Sequence, residues 1–175
     1  MYRIINRVTF FLALFIVLST SCKKTDDPEP LQPESSLEAN KKTALAVVHT
    51  SAVGLGELLR TIPDSASRII TIRIYIDSIR FYEDNSGYFY VYNFQCTNLA
   101  HATQKDLLGQ DLHDYQDTRG KYVIRELSAI AKLGGGFVEY YWIKPGEVGE
   151  KLKIGYVEPI PGTNYFIGTG VYITY

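Results

Sequence analysis

The first regular feature of the chain is a set of apolar residues that recur at three- and four-residue steps. This spacing predicts an amphipathic helix over 37–59. Ser35 and Ser36 offer N-caps, and Glu38 falls in the first turn, where a negative charge favours a helix start. Pro63 ends the pattern because proline lacks the amide proton that a continuing helix needs. The residues of this stretch therefore predict one long helix.

The segment 69–82 fits two patterns. Isoleucines at alternate positions predict a strand, whereas a second set at helical steps predicts a helix beginning at Asp64-Ser65, which can cap it. The two sets are Ile70, Ile72, Ile74 and Ile76 for the strand, and Ile69, Ile72, Ile76 and Ile79 for the helix. The density of β-branched side chains favours the strand. The pattern alone leaves both interpretations open.

Five further apolar segments are rich in Val, Ile, Tyr, Phe or Trp and predict strands. They are 88–93, 98–101, 137–143, 152–159 and 165–173. The dipeptides Pro145-Gly146 and Pro161-Gly162 supply short turns between the last three, which predicts an antiparallel meander. Between the second and third strands, 107–115 predicts a loop with a helical turn, and 122–133 predicts a helix. The order of elements predicts an α+β fold, with a five-stranded antiparallel sheet carrying helices.

The N-terminus has the pattern of a secretory signal peptide over residues 1–21. Arg3 and Arg7 precede an apolar run at 8–18, and the small residues 19–21 precede Cys22. A cysteine at this place resembles the lipidation site of bacterial lipoproteins, although Leu18 stands four residues before it and the usual box has leucine at three. An ordinary secretory peptide followed by an incidental cysteine is the alternative. The sequence predicts a lipid-anchored protein of the cell envelope, at the outer membrane or cell surface.

Residues 22–33 are charged and rich in proline, which predicts a disordered tether, with 34–175 as one domain. Acidic residues just after the cysteine also resemble a surface-export signal. Loss of the two leader arginines would take the formal net charge from −1 to −3. This balance gives no indication of nucleic-acid binding. Cys96 would have no partner for a disulfide within the chain, and we expect it to be a small buried side chain.

Six pieces in order resemble the single Cache domain, a PAS-like sensor domain found outside the cytoplasm. They read IRFYEDNSGYFYVYN, LAHA, LLGQDLHDYQDTRGKYVIRELSAIAK, GGGFVEYYWIKPG, KLKIGYV and YFIGTGVYI. The resemblance implies a PAS-like fold and favours the helix over 69–82. Two departures concern the strands: 94–97 replaces the usual Asp-Gly turn, and Ala102 follows His101 where the family has proline. Receptors of the family continue into a membrane helix and an output module after the last strand, whereas this sequence stops at Tyr175.

The resemblance also implies a pocket for a small carboxylate, made by a cationic clamp among aromatic side chains. The residues that it places there are Arg80, Tyr88, Tyr90, His101, Tyr140, Trp142, Lys153 and Tyr156. Strand alternation sets Lys153 and Tyr156 on opposite faces, so both could line one pocket only with a bulge or twist. A helix-end position for Arg80 and a solvated position for Lys153 are the structural alternatives. His101 could equally be a satisfied core residue.

Signatures of catalysis and of metal binding are lacking in the sequence, which has no nucleophile elbow, no His-Glu-x-x-His and no paired metal-spaced cysteines. We therefore expect no enzyme activity, no cofactor and no metal. The expected function is capture of a small organic acid outside the cytoplasm, reported to an unknown signalling or transport partner. The alternative is a structural or interaction lipoprotein that keeps the fold without binding a ligand.

Overall fold

Two helices begin the part of the chain that the structure, a computed structural model, describes: residues 35–173. Helix α1 spans Ser36–Arg60, and its N-cap Ser35 accepts a hydrogen bond from the amide of Glu38. Helix α2 spans Ser65–Asp77, with the Asp64 carboxylate accepting from Ser67 N. Both caps satisfy amide protons that would otherwise lack partners in a first helical turn. The leader, Cys22 and the predicted tether lie outside the described residues.

The ambiguous isoleucine segment is helical as far as Asp77, where α2 ends. Ile72 and Ile76 are buried, as the helical steps predict. Ile70 and Ile74 point outwards, with exposed fractions of 55% and 73%. Strand alternation would have buried all four of its isoleucines on one face. The cap at Asp64 therefore outweighed the β-branched composition.

A five-stranded antiparallel sheet follows, in the order β2-β1-β5-β4-β3. The strands are β1 (Tyr90–Asn93), β2 (Asn98–His101), β3 (Gly136–Ile143), β4 (Glu150–Pro159) and β5 (Tyr165–Tyr172). Between β2 and β3 lie a 3-10 turn at Lys105–Leu107 and helix α3 at Val123–Lys132. The predicted α+β architecture is confirmed, and each predicted strand is present within two residues of its expected bounds.

The two faces of the sheet are covered by different parts of the chain. On one side, the His49 ring of α1 lies 3.0 Å from the carboxylate of Glu158 in β4. On the other, Ile124 and Leu127 of α3 enclose a cavity with Tyr90 of β1. Because side chains alternate along a strand, these contacts define an α1 face and an α3 face for every strand. The candidate site lies on the α3 face.

The β1–β2 turn lacks the expected Asp-Gly pair and is stabilised by side-chain hydrogen bonds of Asn93. The Asn93 side-chain oxygen accepts from the amides of Gln95 and Thr97, at 3.0 and 2.8 Å. Cys96 takes a positive φ of 70° in this turn and is buried, as its sequence context predicts.

Within residues 35–173, no helix is both long and apolar enough to cross a lipid bilayer.

Candidate functional site

A buried lysine lies at the centre of the α3 face. Lys153 of β4 is 0% exposed, and its Nζ atom has no hydrogen-bond partner among the described residues. Nζ lies 4.1 Å from the centre of the Tyr88 ring, 4.7 Å from that of Tyr172 and 5.5 Å from that of Tyr90. Aromatic faces attract an ammonium group but do not replace its hydration. Burial lowers the pKa of Lys153 well below its ordinary value.

The tyrosine hydroxyls around Lys153 form two hydrogen-bonded pairs. The Tyr172 hydroxyl donates to the carbonyl oxygen of Ile143 at 2.6 Å, so the Tyr88 hydroxyl, 3.0 Å away, donates to Tyr172. The Tyr90 hydroxyl lies 3.1 Å from that of Tyr140. Burial raises the pKa of all four phenols, that of Tyr88 to about 12. These rings therefore stay neutral and give Lys153 no counter-charge.

Three strand glycines make the floor on which these side chains lie. A Cβ atom at Gly155 would come 2.6 Å from the Tyr140 ring, and one at Gly168 would come 2.6 Å from the Tyr90 ring. At Gly170 it would come 2.8 Å from Lys153 Cε. A glycine inside a strand is costly unless something approaches the backbone closely. Here the tyrosine rings and the lysine stem lie directly on the sheet.

His101 closes the cavity at the edge strand β2. Its Nδ1 accepts from the amide of Gln104 at 3.0 Å, which places the ring proton on Nε2. Burial is the main cause that lowers the pKa of His101 to about 3, and a proton on Lys153 would act in the same direction. The ring is thus a neutral imidazole that carries its proton on Nε2. It stacks between Tyr90 and Trp142, at centroid distances of 6.2 and 6.5 Å.

The cavity itself is narrow and mostly aromatic. Its lining consists of Tyr90, Tyr92, His101, Ile124, Leu127, Tyr140 and Trp142. The Trp142 indole donates to the Gln104 side chain at 2.6 Å, which ties the 102–122 loop to β3. The cavity volume is about 10 Å³, which is room for about one water molecule. No cluster of three or more His, Cys, Asp or Glu side chains suited to a metal ion occurs among residues 35–173.

The structure brings together six of the eight residues expected at the site and separates two. Tyr156 lies on the α1 face, where its hydroxyl donates to Glu158 at 2.8 Å. No bulge interrupts β4 between Lys153 and Tyr156, so strand alternation holds them apart. Arg80 is exposed and donates to three carbonyl oxygens, those of Asp77, Ile79 and Ala102. Carbonyls left unpaired at the end of α2 attract its guanidinium group.

Residues that the sequence analysis did not place at the site also contribute. Tyr172 is a further tyrosine whose side chain contacts Lys153, and Gln104 holds the Trp142 indole through a hydrogen bond. Gly168 and Gly170 could have been found from the Gly-Thr-Gly in the last strand, since strand glycines mark close approach. Gln104 had no such signal because it lies in an irregular loop. Its contact spans 38 positions of the chain.

A five-stranded antiparallel sheet with a long helix on one face, and an aromatic cavity and a buried lysine on the other, defines a PAS-like sensor fold. The family model for the Cache domain matches residues 36–175. The chain therefore belongs to the Cache domain family.

Known sensor proteins resemble this chain. A segment of 89 residues, 50% of this chain, is 39% identical to the sensor histidine kinase MctS of Rhizobium johnstonii and covers 19% of that kinase. The periplasmic sensor domain of a chemotaxis protein matches with a TM-score of 0.70 and 28% identity, over 81% of this chain and 100% of that one. The structure of a Cache chemosensory domain, reported as a basis for carboxylic acid recognition, matches with a TM-score of 0.69 and 26% identity. The match covers 78% of this chain and 95% of that one. The matched segment thus spans about a fifth of the kinase.

Proposed function

We propose that this protein is a lipid-anchored extracytoplasmic sensor that binds a small carboxylate on Lys153 and reports it to a partner protein. The observation that carries the proposal is the unpaired, fully buried Nζ atom of Lys153. An uncompensated ammonium in the protein interior costs several kcal/mol, and a carboxylate supplies both its counter-charge and its hydrogen bonds. The similar Cache domain solved for carboxylic acid recognition supports the same ligand class.

The charge and shape of the cavity limit the classes of carboxylate that it can bind. Lys153 is the group that can pair with an anion as an ammonium ion, because His101 is neutral and Arg80 is turned to backbone carbonyls. One cation suits one carboxylate, whereas a dicarboxylate would bring a second negative charge into an apolar space. The neighbouring walls are rings and aliphatic side chains. We therefore expect a short monocarboxylate, with its apolar end towards Ile124 and Leu127.

A thermal-shift titration tests the ligand proposal. Acetate, propionate, pyruvate and succinate are added to the domain at constant ionic strength, with sodium chloride as the matched salt. A monocarboxylate at a hundred times its Kd should stabilise the fold by about 2.7 kcal/mol. Lys153→Met should abolish the shift, and Lys151→Met, which changes an exposed neighbour on the same strand, should keep it. A shift that survives Lys153→Met would contradict the proposal.

The anchor and the partner need their own test. The similarity to a sensor histidine kinase supports a signalling protein as the partner. Lipidation at Cys22 is tested by incorporation of an alkyne fatty acid in the native host. The label should appear in the wild type and disappear in Cys22→Ser, which should leave the membrane fraction. An unlabelled protein would leave an ordinary secreted domain as the explanation.

One observation favours the second candidate, a Cache-fold interaction protein without a ligand. The cavity volume is about 10 Å³, so its own side chains fill nearly all the space. A domain of this kind would show no stabilisation by any of the acids, and Lys153→Met would raise its stability without a loss of function. The titration above separates the two candidates directly.

A further inference from the structure

The groups that face Lys153 come from four strands and bring no negative charge. They are Tyr88, which precedes β1, Tyr90 on β1, His101 on β2, Tyr140 on β3 and Tyr172 on β5. The residues of α3 at this cavity, Ile124 and Leu127, are apolar. Among the charged groups around this cluster, Arg80 and Lys105 act on His101, and Glu147 acts on Tyr172. Lys105 already pairs with Asp77, and Arg80 caps the end of α2.

We propose that the site takes two ligands at once, a carboxylate and a proton, and that the proton binds on Lys153 Nζ. This inference rests on the proposed function and extends it. In the free domain Nζ is an uncharged amine among neutral rings. On binding, a proton from solvent converts the amine to an ammonium ion, which then pairs with the carboxylate. No covalent bond forms, and the bound pair is neutral overall.

The surroundings of Lys153 explain why the proton must arrive with the ligand. A lone ammonium ion here is shielded from bulk solvent and has no acidic partner among the described residues, so the charged form is the unfavourable one until an anion enters. Its lowered pKa agrees with this geometry and has burial as its cause. His101 does not compete for the proton, because its Nδ1 already accepts two backbone amides, those of Thr103 and Gln104.

Proton coupling has a measurable consequence for affinity. Above the pKa of the free lysine, each unit of pH should weaken carboxylate binding tenfold, because one proton is bound per ligand. Below that pKa, the affinity should become independent of pH until the carboxylic acid itself titrates. The domain would therefore respond to the product of proton and carboxylate concentrations, and it would bind most strongly in acid surroundings.

Calorimetry measures the proton directly. Propionate and acetate are titrated into the domain in phosphate and in Tris at the same pH, from pH 6 to 9. The heats in the two buffers should differ by the buffer ionisation enthalpy times the protons taken up, which should approach one at pH 9. Equal heats in both buffers at every pH, with binding intact, would overturn the inference. No binding in either buffer would instead overturn the proposed function.

Two variants assign the proton to its atom. Lys153→Arg carries a fixed charge, so any binding that it retains should proceed without proton uptake. His101→Asn should still take up a proton for each carboxylate bound, whatever its affinity. Loss of uptake in His101→Asn with binding intact would place the proton on the imidazole and overturn the assignment. If Lys153→Arg does not fold, the wild-type calorimetry still tests proton uptake and His101→Asn still tests its location.

Discussion

The stem of Lys153 lies flat across Gly170 on the neighbouring strand, so close that a Cβ atom at position 170 would come 2.8 Å from Lys153 Cε. The two residues are not directly paired: Lys153 is opposite Tyr172 in the β4–β5 ladder, and Gly170 is opposite Gly155. The lysine therefore leans along the sheet, over bare backbone, to bring its nitrogen above Tyr88. The position of the charge depends on the absence of one methyl group.

Gly170→Ala should displace the lysine stem and weaken the fold. The new methyl group would lie 2.7 Å from the carbonyl oxygen of Ile154, which is backbone and cannot turn away. Overpacking of this kind costs about 1–3 kcal/mol. Chemical denaturation measures the loss, and propionate affinity should fall with it. Gly54→Ala is the matched control, since nothing lies within 4 Å of that helical site. It should gain about 0.5–1 kcal/mol.

Lys153→Met should stabilise the free domain at pH 7 and remove a dependence on pH. The folded protein binds fewer protons at Lys153 than the unfolded chain does between the lowered pKa and the ordinary 10.5. Wild-type stability should therefore rise with pH through that interval, by up to about 1.4 kcal/mol per unit, and be constant below it. Urea denaturation at pH 6, 7, 8 and 9 measures the slope.

The matched control for this slope is Lys151→Met, two residues earlier on β4 and exposed. It should leave the pH dependence of the wild type unchanged. A slope that persists in Lys153→Met would show that another group titrates in this range, and a lower stability at pH 7 would show that the ammonium has a partner.

Tyr172→Phe should lower stability without changing the apolar volume of the core. The hydroxyl accepts from Tyr88 and donates to the Ile143 carbonyl, so its removal takes one hydrogen bond from a buried phenol and one from a part-buried carbonyl. The expected loss in the free energy of unfolding is about 1–3 kcal/mol. Tyr122→Phe is the control, because that ring is partly exposed and keeps its contact with Arg125. Equal stabilities of the two variants would contradict the hydrogen-bond chain.

Asp117→Asn should loosen the loop between β2 and α3, which Asp117 ties to β3. One carboxylate oxygen accepts from the amides of Arg119 and Lys121, and the other accepts from Tyr141 N of β3. Burial raises the pKa of Asp117, but these three amides outweigh it and the net effect is a lowered pKa. An asparagine amide can replace only one of the two oxygens, so we expect a loss of about 1–3 kcal/mol.

The same contact should be sensitive to acid. Because the folded pKa of Asp117 is lowered, its contribution is present above the unfolded value near 3.8 and is lost as the pH falls through the folded pKa. Denaturation at pH 7 and at pH 3 should show a smaller difference in Asp117→Asn than in the wild type. Asp106→Asn, an exposed change, should behave as the wild type does.

The sequence predicted most of the fold because its signals are local. Periodicity located α1 and α3, and strand composition located all five strands. The separation of Lys153 from Tyr156 also followed from alternation along one strand. Only the resemblance to a known family decided between helix and strand for 69–82. Within that segment, the helical pattern and the alternating pattern share Ile72 and Ile76.

The site was less predictable, because its decisive contacts are distant in sequence. Arg80 lies close to the cavity, yet it donates to carbonyls at the end of its own helix and to Ala102. Nothing in the residue order distinguishes that use from a ligand clamp. Tyr172 joins the site only through the register of β4 and β5, which pairs it with Lys153. Register depends on the pairing of strands across the sheet, so the sequence of one segment does not determine it.

Helix α1 begins, and β5 ends, beside the same surface cleft. Ser36 and Asn40 line this cleft together with Val171 and Tyr172. A domain whose two ends meet in space can be inserted into a loop of another protein with little distortion of either. Because Tyr172 also touches Lys153 inside, this junction is the natural place to fuse a circularly permuted fluorescent protein. Such a fusion would convert carboxylate binding into an optical signal.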